Sequence, residues 1–289
     1  MKAIDLKSIL NFSAFRPEPD DPSALWGKRF PDEKTTFLGI GRAKITWREI
    51  SSALPHAPLD SAQGEIKETL PQVADAIKAQ PGKEWCSVSL NSRYVISLET
   101  NLSRRPGSEE LLKTNPRAII GSRYEKGKSY AVTHNPETNS SILLSFDDEF
   151  LKKIEAQFKE AGLRIGRLCC GTYVLLRHAL STVNTAKGTD APVSTFFIVC
   201  CEGAVCALVQ DQDRWIELRS RTDVYEDDLT PIADLLAPFQ SRLAPEIGIT
   251  LIGDEPLQGL PERLATVFPN RSINDLSEPG LLTDLMVQN

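Results

Sequence analysis

Between Ser194 and about Arg271 the chain alternates short apolar runs, turn signals and amphipathic stretches in an order that few architectures accept. Ser194 to Cys201 is a nearly continuous apolar run, which suits a buried strand. Glu202-Gly203 is a turn signal, Ala204 to Gln210 a second strand, Asp211-Gln212-Asp213 another turn, and Arg214 to Arg219 a third strand of alternating character. A three-strand meander follows. After it come a helical pattern from about Glu226 to Leu243, a strand from Ile247 to Ile252, a turn beginning at Gly253-Asp254, and a helix from about Gly259 to Phe268. The order is β-β-β-α-β-α, so the fold class is α/β.

The earlier part of the chain carries the same order in thinner form. Thr35 to Ile50 reads as two short strands hinged at Gly39 to Arg42. A helix over about Ala62 to Ala79 places Ile66, Leu70, Val73 and Ile77 along one face, and a strand from Trp85 to Leu90 follows Pro81-Gly82. The two copies share no visible sequence identity, so the repeat is one of architecture. Between them lies chain that a duplicated unit does not need: a strand over Arg93 to Leu98, a polar, partly helical piece over Ser108 to Ile120, and strands over Ser129 to His134 and Ser140 to Phe146. Asp147 then opens a well-marked helix. It is a good N-cap, Asp148 and Glu149 suit the positive end of the helix dipole, Gly162 suits the far end, and Phe150, Leu151, Ile154 and Phe158 form the apolar face. A strand over Leu163 to Cys170 and a helix over Gly171 to about Asn184 lead to the best linker candidate, Thr185 to Pro192.

Composition bounds the function classes. A chain of 289 residues, 41% hydrophobic and 25% charged, is long enough for two globular units with real cores. Its net charge of -6 supplies no basic excess to displace counterions, which argues against nucleic acid as the main partner. Cys86, Cys169, Cys170, Cys200, Cys201 and Cys206 lack zinc-site spacing, and five of the six sit in apolar, strand-like runs. Buried, reduced thiols and a cytoplasmic compartment are expected. Asp5 and Lys7 interrupt any leader, no window is apolar enough to span a bilayer, and a membrane is expected to matter only through a partner. Residues 1–33 read as an extension: Ile4, Leu6, Ile9, Leu10 and Phe12 fall at roughly helical spacing before the proline-rich stretch Arg16 to Pro22.

Five segments in order carry a resemblance: Leu38 to Gly41; the helix from Phe150 ending in Glu160-Ala161-Gly162-Leu163; Tyr173 to Leu180; Phe197 to Gly203; and Leu251 to Asp254 followed by Gly259-Leu260. Together they resemble the PilM family of actin-like type IV pilus assembly proteins, which are related to FtsA and to the cytoplasmic part of the GspL proteins of type II secretion. The likeness covers about residues 35–273 and lies in order and spacing, since each motif alone is short. It implies an actin-like, duplicated ribonuclease H-like fold. The implied boundaries are a first half over 34–190, holding an inserted subdomain at about 85–162, and a second half over 191–289.

The resemblance also implies where a nucleotide would sit. Actin-like ATPases hold Mg-ATP between two hairpin turns, with glycines admitting phosphate and an acidic residue in each turn serving the metal. At the first turn the Asp-x-Gly pattern reads Gly39-Ile40-Gly41, and at the second Cys201-Glu202-Gly203; both aspartates are missing. Glu202 is one position out of phase, which in a strand points a side chain to the opposite face. At the third site Gly253-Asp254 stands where adjacent glycines usually approach the adenosine. The candidate cofactor-binding residues are therefore Gly39, Gly41, Gly203, Gly253 and Gly259, a degenerate cleft, with no catalytic residue and no metal ligand. The same glycines also serve as ordinary turn residues between strands.

Other constellations read as caps and turns. Glu202 with Asp211 and Asp213, and Glu226-Asp227-Asp228, sit where hairpin tips and helix starts favour carboxylates. His178 lies in an apolar helix, His56 and His134 in polar loops, and no nucleophile-base arrangement assembles. Arg42 and Lys44 suit phosphate or a solvated strand edge equally. The expectation is a scaffold of a pilus or type II secretion machine at the inner face of the inner membrane, with ATP and Mg absent or weakly held. It would grip a short cytoplasmic segment of an inner-membrane partner in a groove flanked by Arg93 to Leu98 and Asp147 to Gly162. Pairing with a second copy stays open. The alternative is an ATP-dependent small-molecule kinase or ATPase of the wider actin and sugar-kinase superfamily, which the missing aspartates disfavour.

Overall fold

In the computed structural model the residues described are 24–27, 35–40, 44–49, 60–78, 85–93, 95–100, 111–112, 114–134, 141–187, 194–211, 214–222, 224 and 229–288. The first elements are β1 (Ala24–Gly27), β2 (Thr35–Ile40), β3 (Lys44–Glu49), β4 (Asp60–Gln63), α1 (Ile66–Lys78) and β5 (Trp85–Leu90). β6 (Val95–Thr100), α2 (Pro116–Ile120), β7 (Lys128–His134) and β8 (Ser141–Asp147) follow, then α3 (Asp148–Glu160), β9 (Arg164–Cys170) and α4 (Gly171–Lys187). The remainder is β10 (Thr195–Cys201), β11 (Ala204–Asp211), β12 (Arg214–Thr222), α5 (Thr230–Gln240), β13 (Gly248–Gly253), α6 (Leu260–Val267), β14 (Ile273–Asp275) and α7 (Leu281–Gln288).

Two sheets repeat one pattern. The first runs β4-β3-β2-β5-β9 with β1 added at the β9 edge, and the second runs β12-β11-β10-β13-β14. In each, three antiparallel strands are followed by two parallel ones, which need crossover helices. β10 explains its own composition. Phe197, Val199 and Cys201 enter the core shared with the first sheet, while Phe196, Ile198 and Cys200 enter a second core under α5 and α6. Phe196 meets Phe239 at 4.8 Å and Phe268 at 5.6 Å between ring centroids. A strand buried on both faces leaves no polar position, hence the unbroken apolar run.

The last helix of each unit packs across to the other. α4 follows β9 yet lies against β10, and α7 follows β14 yet lies against β2 and α4. Gly171 marks the crossing. A Cβ there would stand 2.3 Å from Ser89 Oγ, 2.7 Å from Cys201 Sγ and 3.1 Å from Leu282 Cδ2, so β5, β10 and α7 converge on the first residue of α4. Arg167 of β9 adds a hydrogen bond from Nη1 to the carbonyl of Met286 at 3.3 Å.

Several expectations change. Residues 60–63, expected near a helix start, form β4; Asp-Ser-Ala-Gln has poor strand propensity, and pairing with β3 imposes the strand. β5 pairs in parallel with β2 and β9, so it belongs to the main sheet, and the separate sheet β6-β8-β7 takes less chain than the expected insertion of about 85–162. From the extension, Ala24 to Gly27 pairs antiparallel with β9, and Met1 to Phe12 lies outside the described residues. The expected linker is partly helical, since α4 runs to Lys187, and 188–193 lie outside the described residues. The α3 caps are as read: Asp147 accepts from the Phe150 amide, and Gly162 at φ 78 closes the helix with Leu163 N donating to Phe158 O at 2.8 Å.

All six cysteines are buried and reduced. Burial pushes the thiols of Cys86, Cys200, Cys201 and Cys206 well above their ordinary value, so little thiolate exists at neutral pH. A thiol reagent added to the native protein should modify none of them, and all six should react together on unfolding. Glu217 on β12 supplies a pH handle. Burial pushes its carboxyl up, but hydrogen bonds from Arg219 and Arg242, the latter 2.9 Å from Oε2, outweigh this and hold it below 4.5. Its stabilisation is therefore present above 4.5 and lost as pH falls through the depressed value. E217Q should lower the melting temperature at neutral pH, with the difference closing in acid.

Candidate functional site

Of the five glycines read from the sequence, four lie among the described residues. Gly41 lies outside the described residues. Gly39 sits inside β2, opposite Thr46 on β3 and beside Ser89 on β5, rather than at a turn. Gly203, at φ 79, is the second residue of the two-residue turn joining β10 to β11. Gly253 ends β13, and Gly259 opens α6 at φ 76 with Leu229 Cδ1 3.9 Å from where its Cβ would be.

Glu202 bridges the two units at this border. The residue stands at φ 48 in the β10–β11 turn, so the strand-face argument made from sequence does not hold: a turn residue of positive φ is released from the strand's alternation. Its carboxylate reaches the first unit, where Oε1 accepts a hydrogen bond from Thr46 Oγ1 at 3.3 Å. The side chain lies over Gly39. A Cβ on that residue would be 2.0 Å from Glu202 Oε1 and 2.8 Å from Thr46 Oγ1. The open approach that a glycine offers at this point is thus taken by this chain's own acid.

The backbone of Glu202 is held from both sides. Asn91, just past β5, donates from Nδ2 to the Glu202 carbonyl at 2.8 Å and accepts the Arg93 amide on Oδ1 at 3.0 Å. Asp254, just past β13, accepts the Glu202 amide on Oδ1 at 3.2 Å. Asp254 itself is fixed by backbone bonds, its amide to the Cys200 carbonyl and its carbonyl from the Gly280 amide at 2.9 Å. The carboxylate expected near a nucleoside therefore caps a turn. Beneath these groups Ser92 Oγ and Thr172 Oγ1 lie 2.8 Å apart, joining β5's end to α4.

The space over Gly39 holds the Glu202 carboxylate, and at Gly253 a Cβ would lie 2.8 Å from the Glu255 carbonyl, so that glycine's space is filled by its own loop. Among the described residues no group of three or more His, Cys, Asp or Glu is arranged to hold a metal. Thr46 and Asn91 escaped the sequence reading because their meaning lies in contacts to Glu202 far along the chain, and neither belongs to a motif.

The chain matches no protein-family model, and no curated protein matches it. Solved structures do. The PilM-PilN type IV pilus biogenesis complex aligns with TM-score 0.57 and 17% identity over 89% of this chain and 94% of that one. The cytoplasmic domain of EpsL, an inner membrane component of the type II secretion system of Vibrio cholerae, aligns with TM-score 0.53 and 12% identity over 88% and 95%. A Bacteroides thetaiotaomicron protein of actin-like ATPase fold and unknown function aligns with TM-score 0.51 and 12% identity over 89% and 96%. At these identities the likeness is one of fold, and the fold is actin-like.

The Gly39 geometry generates a double-mutant cycle. G39A should lower stability by about 1–3 kcal/mol, because the new methyl group meets a partly buried acid. In an E202A background the same change should cost less, with a coupling of roughly 0.5–3 kcal/mol by urea unfolding.

Proposed function

Taking the actin-like fold as its frame, we propose that this chain is a non-hydrolysing scaffold of a pilus-type or type II secretion-type assembly machine. On this reading it works at the inner face of the inner membrane and grips a short extended segment of an inner-membrane partner. The observation that carries the first part is Glu202 over Gly39: a cleft closed by its own carboxylate has no use for a triphosphate. The fold likeness to the EpsL cytoplasmic domain and to the PilM-PilN complex supports the second part. A nucleotide-consuming kinase reading is disfavoured because the one acid in the second turn, Glu202, is engaged with Thr46 over Gly39.

On this reading the segment would sit in a groove on the first unit. A groove of about 210 Å³ runs along α3 and β9, with Leu151, Ile154, Ile165 and Leu168 as its apolar lining and Asp148, Lys152 and Glu155 as its polar lining. Its walls are α3, the helix that the sequence reading set beside the partner segment, and β9. Apolar anchors within a mixed-charge border suit an extended peptide with one or two apolar side chains.

Two measurements test the reading. Mg-ATP should leave the melting temperature unchanged across a saturating titration, and ATP turnover should stay at background; a saturable rise would refute it. Leu151→Arg, a change on a partly exposed lining residue, should abolish co-purification with a bitopic partner while leaving the melting temperature within a degree or so of wild type.

A further inference from the structure

We propose that Glu202 is a tethered ligand of this chain's own cleft: its carboxylate, carried on the β10–β11 turn, holds the two hairpins together across the space that Gly39 leaves open. The inference deepens the scaffold reading and rests on it in one respect, that the cleft takes no nucleotide.

Three observations converge. The first is reach. The carboxylate crosses from the second unit to the first, accepts from Thr46 Oγ1 at 3.3 Å and fills the space that Gly39 leaves by lacking a side chain. The second is fixation. Asn91 holds the Glu202 carbonyl at 2.8 Å and Asp254 holds its amide at 3.2 Å, so the side chain leaves from a backbone pinned by groups of both units. A ligand whose attachment point is already ordered loses little entropy on binding, and its effective concentration at the site is high.

The third is local cost. A two-residue hairpin turn with positive φ at both positions favours Asn-Gly or Asp-Gly, and glutamate is a poor choice at φ 48. Turn chemistry alone asks for a shorter side chain, whereas a bridge asks for one long enough to reach Gly39. The two demands pull the same position in opposite directions, and the residue present serves the bridge. The sign of one substitution therefore separates them.

The test uses the full chain as wild type, E202N, E202A and E202Q, followed by melting temperature and amide exchange in β2. E202N improves the turn and removes the reach, so it should melt roughly 2–4 °C below wild type and exchange faster at Gly39 and Ile40. E202Q keeps the length and an acceptor for Thr46 and should behave as wild type. Inorganic phosphate or acetate should raise the melting temperature of E202N and E202A saturably, with no such rise for wild type or E202Q. If E202A fails to fold, T46V removes the donor while leaving the turn intact, and it should speed the same exchange. E202N melting at or above wild type, or phosphate stabilising wild type as much as E202N, overturns the tethered-ligand proposal. Failure of the scaffold reading has a different signature, a wild-type protein stabilised by Mg-ATP, whereas an ATP-blind wild type with a fully stable E202N sinks the bridge alone.

Discussion

Burial of β10 on both faces sets the terms for the rest of the molecule. One set of alternate side chains packs toward α4 and the first sheet, the other toward α5 and α6, and a shift of one residue in register would exchange the two sets. That double burial fixes β11 and β13 as neighbours on either side, places the β10–β11 turn at the border of the two units, and brings Cys201 against Gly171 at the crossing of β5, β10 and α7. The position of Glu202 is a consequence. The turn emerges where the second sheet faces the first, so any long side chain carried on it has the first unit within reach.

The cleft that results is occupied by the chain's own groups. Glycines at such a border normally let a ligand approach the backbone, but here two of them make room for protein: Gly39 for the Glu202 carboxylate and Gly253 for the Glu255 carbonyl. The polar groups around the turn are aimed at one another and not at open space. Asn91 Nδ2 donates to the Glu202 carbonyl and Asp254 Oδ1 accepts its amide. An arrangement of this sort stabilises one closed geometry.

Much of the architecture was legible because periodicity reports burial. The run from Thr195 to Cys201, the Asp147 cap and the Gly162 stop all carry local signals with physical causes, and each element is where those signals put it. β4 and β14 were not legible: Asp60 to Gln63 and Ile273 to Asp275 are too short and too polar, and pairing makes them strands. The cleft was half legible. The absence of both aspartates could be read from the chain, but the use made of Glu202 could not, since it depends on a positive φ and on a contact to Thr46 across a gap of 156 residues. Strand reasoning applied to that turn gave the wrong direction for the side chain.

The exchanged helices have a consequence for synthesis. Because α7 lies on β2 and α4 lies on β10, each sheet is finished by a helix that belongs in sequence to the other unit. A nascent chain emerging from the ribosome therefore cannot complete the first sheet's cover until Leu281 to Gln288 has been made, and a fragment cut between the units would leave both with bare apolar faces. Cooperativity across the whole length is the natural outcome: the protein should lack a stable half-folded form, and what a chaperone would have to shelter during translation is the apolar surface of β2.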